Sequence, residues 1–246
     1  MRVLILTSYP EIFPGSLGHS IIGKALANNK FSLEVINLHN FGIDSRGSID
    51  DEPFGGGPGM VMRPDVIEKA INSIALKSKN VARIFLTPSG KKLTQIKLEK
   101  LSKYKEMIIL CGRFEGVDQR AIEILGFEEI SIGDYVLSGG EIAAQVLVEG
   151  CIRLIPGVLG HPESLLEESF LNNLLEYPHY TRPREWVDIN GNKHDVPEVL
   201  TSGNHEKIES WRKDKAMLKT IKNRPDIINK KENWWVIYWK VLMIIR

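Results

Sequence analysis

From residue 3 to residue 155 the chain alternates short β-rich apolar runs with stretches of helical period, and this narrows the possible folds more than any other feature. Residues 3–7, 33–38, 81–86, 107–111 and 128–132 read as strands. Helices are expected near 20–28, 94–103, 118–125 and 141–155, and Val66, Ile67, Ala70, Ile71 and Ile74 recur at helical spacing. Strand–helix alternation of this kind predicts an α/β domain built on a mainly parallel sheet covered on both faces. Residues 40–59 interrupt it as a long polar, glycine-rich loop.

The pattern changes after Gly160. Residues 161–169 are polar and acidic, 177–184 contain two prolines, and the chain turns strongly helical from His205. We therefore expect a domain over 1–160, a linker over 161–176 and a small helical domain over 177–246. With 43% apolar residues among 246, the chain can build a real core. Lys plus Arg number 32 against 31 Asp plus Glu, so bulk charge does not point to nucleic acid, and any such partner must be read from local patches. One patch exists: residues 207–231 carry nine basic side chains, Lys215 and Lys219 among them, against three acidic ones. Such a stretch is either a solvated helix face or a row of phosphate contacts.

Several chemistries can be set aside. The six histidines make no His-x-x-x-His pair and there is no Cys-x-x-Cys, so no zinc site is expected and no metal ligands are assigned. Cys111 and Cys151 sit in apolar runs and read as reduced, buried thiols. No Gly-x-Ser-x-Gly elbow appears. Residues 18–25 approach a phosphate-binding loop but end in Ala25, where that motif needs a hydroxyl for magnesium. The first residues turn polar too quickly for a signal peptide, and the apolar tail 234–246, which carries Lys240, is shorter than the ~20 residues of a membrane span. A cytoplasmic protein without a membrane partner is expected, its tail docked on the body or on a partner subunit.

Three glycine-bearing segments follow expected strands, where ligands collect in open α/β sheets: Leu86-Thr87-Pro88-Ser89-Gly90, Cys111-Gly112-Arg113-Phe114-Glu115-Gly116, and residues 132–140, Ile-Gly-Asp-Tyr-Val-Leu-Ser-Gly-Gly. Taken singly each is an ordinary turn. Taken together they can wrap a flat heterocycle with main-chain hydrogen bonds. A fourth segment, Phe54-Gly55-Gly56-Gly57-Pro58-Gly59-Met60, is either a flexible hairpin-like loop or one that closes over a substrate.

Residues 54–60, 111–118 and 131–137, with 153–160, which open on Arg153-Leu154-Ile155-Pro156-Gly157, and Pro178-His179-Tyr180-Thr181-Arg182-Pro183, resemble in order the bacterial tRNA (guanine-37-N1)-methyltransferase family, TrmD, of the SPOUT superfamily. The resemblance implies a sheet with a deep trefoil knot and a homodimer whose active sites draw on both chains. It implies methyl transfer from S-adenosylmethionine to N1 of the guanosine at position 37, in the anticodon stem-loop of tRNA. Carried over motif by motif, the cofactor contacts are Leu86, Thr87, Pro88, Gly112, Ile132, Gly133, Tyr135, Leu137, Gly139 and Gly140. The substrate contacts are Gly55, Gly56, Gly57, Pro58, Gly59 and His179, with Lys215 and Lys219 from the basic stretch. Arg153 supports charge on guanine O6, and Glu115 is tied to a magnesium requirement whose site is not assignable; its plainer role is to hold Arg113 or a backbone amide. The family's base is the aspartate of an Asp-Ser-Phe triplet. Here the triplet reads Glu168-Ser169-Phe170, so Glu168 is the expected base, with Glu167 as the alternative. Two other readings stay open: a SPOUT relative acting on ribosomal RNA or a ribose 2′-oxygen, and an RNA-binding protein that has lost catalysis at Glu168.

Overall fold

A computed structural model of the chain describes residues 1–160 and 168–228. The chain divides into two compact units, 1–160 and 161–246. In chain order the first holds β1 (Arg2–Thr7), α1 (Ser20–Ala27), β2 (Ser32–Asn37), β3 (Asp50–Asp51), β4 (Val61–Met62), α2 (Pro64–Asn72), β5 (Val81–Lys92), α3 (Gln95–Leu101), β6 (Glu106–Cys111), α4 (Gln119–Ile124), β7 (Glu128–Ser131) and α5 (Glu141–Ile152). Five strands form one sheet in the order β2-β1-β6-β5-β7, all parallel.

The period of two along each strand sorts side chains onto two faces. Val3, Ile5, Ile84, Met107 and Ile109 join a core closed by α1 and α5 through Ile22, Ala25, Ala144, Leu147, Val148 and Cys151. Leu4, Leu6, Phe85, Ile108 and Leu110 face the opposite core, closed by α2 and α4 through Val66, Ile67, Ala70, Ala121 and Ile122. Both faces are dry, which is why these strands read as continuous apolar runs rather than alternating ones. Helix starts follow local chemistry. Pro64 opens α2, with Asp65 in its first turn. The Thr94 hydroxyl accepts from the Lys97 amide at 3.3 Å to cap α3, and Asp118 accepts from the Arg120 amide at 3.0 Å to cap α4. Each fully buried Leu or Ile in these layers contributes roughly 1.5–3 kcal/mol.

Two local features depart from the sequence expectation. β5 does not stop at Leu86 but runs to Lys92, and its pairing with β7 shifts register between Leu86 and Lys91. The expected loop Thr87–Gly90 is thus an irregular stretch inside a strand, a bulge that turns the chain without ending the pairing. α5 ends at Ile152, with turns beyond it.

The second unit carries α6 (Glu198–Thr201) and α7 (His205–Asn223), and also an antiparallel hairpin, β8 (Glu185–Val187) with β9 (Lys193–Asp195). The hairpin had no apolar alternation to announce it, because all six strand residues are exposed. Its turn is held by the Asp188 carboxylate, which accepts from the amides of Asn190 and Asn192, each at 2.9 Å, while Gly191 takes a φ of 83°. The tail 234–246, Glu167 and most of the first half of the expected linker lie outside the described residues, as do Lys230 and Lys231.

Candidate active site

The C-terminal ends of β5, β6 and β7 open onto one cavity of about 240 Å³. Its wall contains all ten residues expected to contact the cofactor: Leu86, Thr87 and Pro88 in β5, Gly112 after β6, Ile132, Gly133, Tyr135 and Leu137 after β7, and Gly139 and Gly140 before α5. Glu115 lines it too. Three segments that are ordinary turns one at a time become one site because parallel β5 lies between β6 and β7, bringing all three to the same edge.

Main-chain geometry sets the cavity's shape. The Gly140 amide donates to the Gly112 carbonyl at 3.0 Å. A Cβ on Gly140 would lie 2.8 Å from the Cys111 Cα and 3.0 Å from the Gly112 nitrogen, so no larger residue fits without moving backbone. The Ser131 hydroxyl donates to the Gly133 carbonyl at 2.9 Å, and the Tyr135 ring folds back over Gly133. This is a cradle in which a ligand can approach main-chain N–H and C=O groups closely. Burial pushes the Cys111 thiol well above its ordinary range, with Glu141 acting in the same direction, so it remains a neutral residue beneath the wall. Burial likewise pushes Cys151 up to about 12.

Arg113 is held by a carboxylate, but by Glu141 rather than Glu115. The distances are 3.2 Å from Arg113 Nε to Glu141 Oε1 and 3.0 Å from Nη2 to Oε2. Glu115 is exposed, and its amide donates to the Met60 carbonyl at 3.0 Å. That bond belongs to a strap. The Met62 amide donates to Gly116 O at 2.9 Å, the Asp118 amide donates to Met62 O at 3.0 Å, and Met62 bridges Val117 in parallel. The strap pins the base of the glycine loop against the segment that carries Glu115. Above the base, Gly55, Gly56, Gly57 and Gly59 all have positive φ, from 76° to 121°, and a Cβ on the first three would meet nothing within 4 Å. Glycine is demanded at those three by backbone conformation and not by crowding. Phe54, 99% exposed, stands at the loop's start.

The remaining expected residues are distributed over both units. Arg153 caps the C-terminus of α5 in the first unit. Glu168, half-buried, belongs to the second, where it lines a separate cavity of about 220 Å³ with Tyr177, Glu209, Arg212 and Lys213. Phe170 beside it takes a φ of 75°, unusual for an aromatic residue, and its amide donates to Leu174 O at 2.7 Å. His179 lies 2.8 Å from Glu176 and packs its ring 4.9 Å from that of Tyr177. Lys215 and Lys219 are one turn apart on α7, with Lys215 Nζ 5.8 Å from the Trp211 ring centroid. Sequence reasoning missed Glu141 and Thr7 altogether, since neither sits in a motif that marks it.

A profile of the family described as "tRNA (Guanine-1)-methyltransferase TrmD" matches residues 1–230. The chain belongs to this family. Proteins named tRNA (guanine-N(1)-)-methyltransferase are similar to it along nearly their whole length. That of Rhodospirillum rubrum is 51% identical over 227 residues, covering 92% of each protein. That of Neorickettsia sennetsu is 50% identical over 228 residues, 93% of this chain and 98% of the relative. That of Wolbachia pipientis is 48% identical over 229 residues, 92% and 97% respectively. The five-stranded parallel sheet with flanking helices is the α/β architecture of the SPOUT class to which TrmD proteins belong. Among the described residues no helix is long and apolar enough to cross a membrane.

Proposed function

We propose that the cavity at the ends of β5, β6 and β7 holds S-adenosylmethionine and that the chain methylates N1 of guanosine 37 in tRNA. The observation that carries this reading is the gathering of all ten motif-derived cofactor residues in one glycine-walled cavity of a TrmD-family chain. The cofactor supplies a methyl group already activated by its sulfonium, so the protein has to orient the donor and make guanine N1 nucleophilic. N1 carries a proton and its lone pair is delocalised. Glu168 takes that proton as general base, keeping the family's carboxylate with one more methylene of reach. Arg153 supports the negative charge that develops on O6. A magnesium ion, if the reaction requires one, would draw on the exposed carboxylate of Glu115.

The glycine loop 55–59 and His179 contact the anticodon stem-loop, and Lys215 and Lys219 contact its phosphates. The protein works in the cytoplasm as a homodimer with shared active sites, and its first unit carries the deep trefoil knot of the class. Residues 1–160 act as the methyltransferase domain, 161–176 as linker and 177–246 as the tRNA-binding domain.

Labelled methyl transfer to unmodified tRNA transcripts tests the reading. Incorporation is expected with guanosine at both positions 36 and 37, and should fall sharply when position 36 is changed. Equal rates on every position-36 variant, or preference for ribosomal RNA, would overturn it.

A further inference from the structure

The wall of the cavity contains a cation that the reaction scheme does not use. The Arg113 guanidinium joins three chain segments. Its Nε and Nη2 bond Glu141 at the start of α5, its Nη1 donates to the Ser138 carbonyl at 3.2 Å, and its Cζ lies 4.2 Å above the ring of Tyr9, just past β1. Glu141 is 1% exposed and also accepts from the Thr7 hydroxyl at 2.8 Å. A carboxylate in the first turn of a helix is favourable without help. One this deeply buried needs compensation, and a cation beside it in turn needs the carboxylate. Two of the segments that Arg113 joins, the one after β6 and the one before α5, are walls of the cavity.

We propose that Arg113 and Glu141 are a positioning pair for the methyl donor: the ion pair pins two cavity walls together and neutralises the guanidinium, so that a sulfonium cation can occupy the same space. This rests on the cavity being the S-adenosylmethionine site. Without Glu141 the guanidinium would present an uncompensated positive charge to a positively charged ligand. S-adenosylhomocysteine has the same purine and amino-acid ends but a neutral sulfur, so comparing the two ligands isolates charge from shape.

The test is calorimetric binding of both ligands to the full-length protein and to three charge-removing variants, with thermal unfolding as a fold control. Glu141→Gln should lower affinity for S-adenosylmethionine about fivefold more than for S-adenosylhomocysteine, the scale of one uncompensated charge across a partly solvated cavity. Arg113→Gln leaves the carboxylate alone and should move the ratio the other way. It reads the same effect should Glu141→Gln unfold. Arg113→Gln combined with Glu141→Gln should return the ratio towards wild type. An unchanged ratio in the single variants, or shifts of the same sign, would overturn the proposal. If the wild-type protein binds neither ligand, the assignment of the cavity itself fails, and the two failures are distinguishable.

Discussion

The Gly140 amide donates to the Gly112 carbonyl at 3.0 Å, stitching the start of α5 to the segment that follows β6. The approach leaves no room for a side chain at Gly140, where a Cβ would meet the backbone of Cys111 and Gly112. A valine at this position would fill the cavity. The structure shows that backbone must move as well. Gly140→Val should therefore abolish cofactor binding by calorimetry and lower stability by about 1–3 kcal/mol, as overpacked sites do. Wild-type binding and melting together would contradict the cavity as described.

Gly57 gives the opposite case. Its φ of 121° disfavours every other residue, yet a Cβ there touches nothing. Gly57→Ala should cost about 1–3 kcal/mol of local strain, relieved by rearranging an exposed loop. The melting temperature should stay within about 2 °C. Cofactor affinity should hold while kcat/KM for tRNA falls, if the loop engages substrate. Unchanged tRNA kinetics would return the loop to a plain hairpin connection.

Glu168→Gln should keep cofactor and tRNA binding and reduce methyl transfer by about 10²–10⁴, the usual cost of removing a general base. Glu168→Asp, restoring the family residue, should retain activity. Single-turnover rates with labelled cofactor separate these outcomes. Glu167→Gln is the register control, expected to matter far less because it is Glu168 that stands at the first position of the Glu-Ser-Phe triplet. If Glu167→Gln is the inactive one, the base moves by one residue.

Charge reversal at Lys215 and Lys219 should weaken tRNA binding and flatten its dependence on salt by about 0.7–0.9 log–log unit for each phosphate no longer neutralised. Cofactor affinity should not change. Filter binding across a salt series decides it, and an unaltered slope would make this face of α7 a solvated one.

Much of this protein follows from its sequence alone. Apolar runs spaced by helical patterns specify the α/β class because a strand buried on both faces has no polar period to disguise it. The places of the glycine segments follow from the same pattern, since loops after parallel strands share one edge of the sheet. Helix starts at Pro64, Thr94 and Asp118 are local chemistry and legible as such.

Tertiary structure alone decided which distant residues meet. Arg113 and Glu141 are 28 residues apart, Thr7 and Glu141 are 134 apart, and no periodicity relates them. They come together because the strand order β2-β1-β6-β5-β7 sets β1 beside β6 and α5 packs against both. The same holds for the strap from Met62 to Val117 and for the bulge in β5. A side chain's period records which face it occupies. Its partner on that face depends on crossovers, and these are fixed only when the whole sheet closes its two cores.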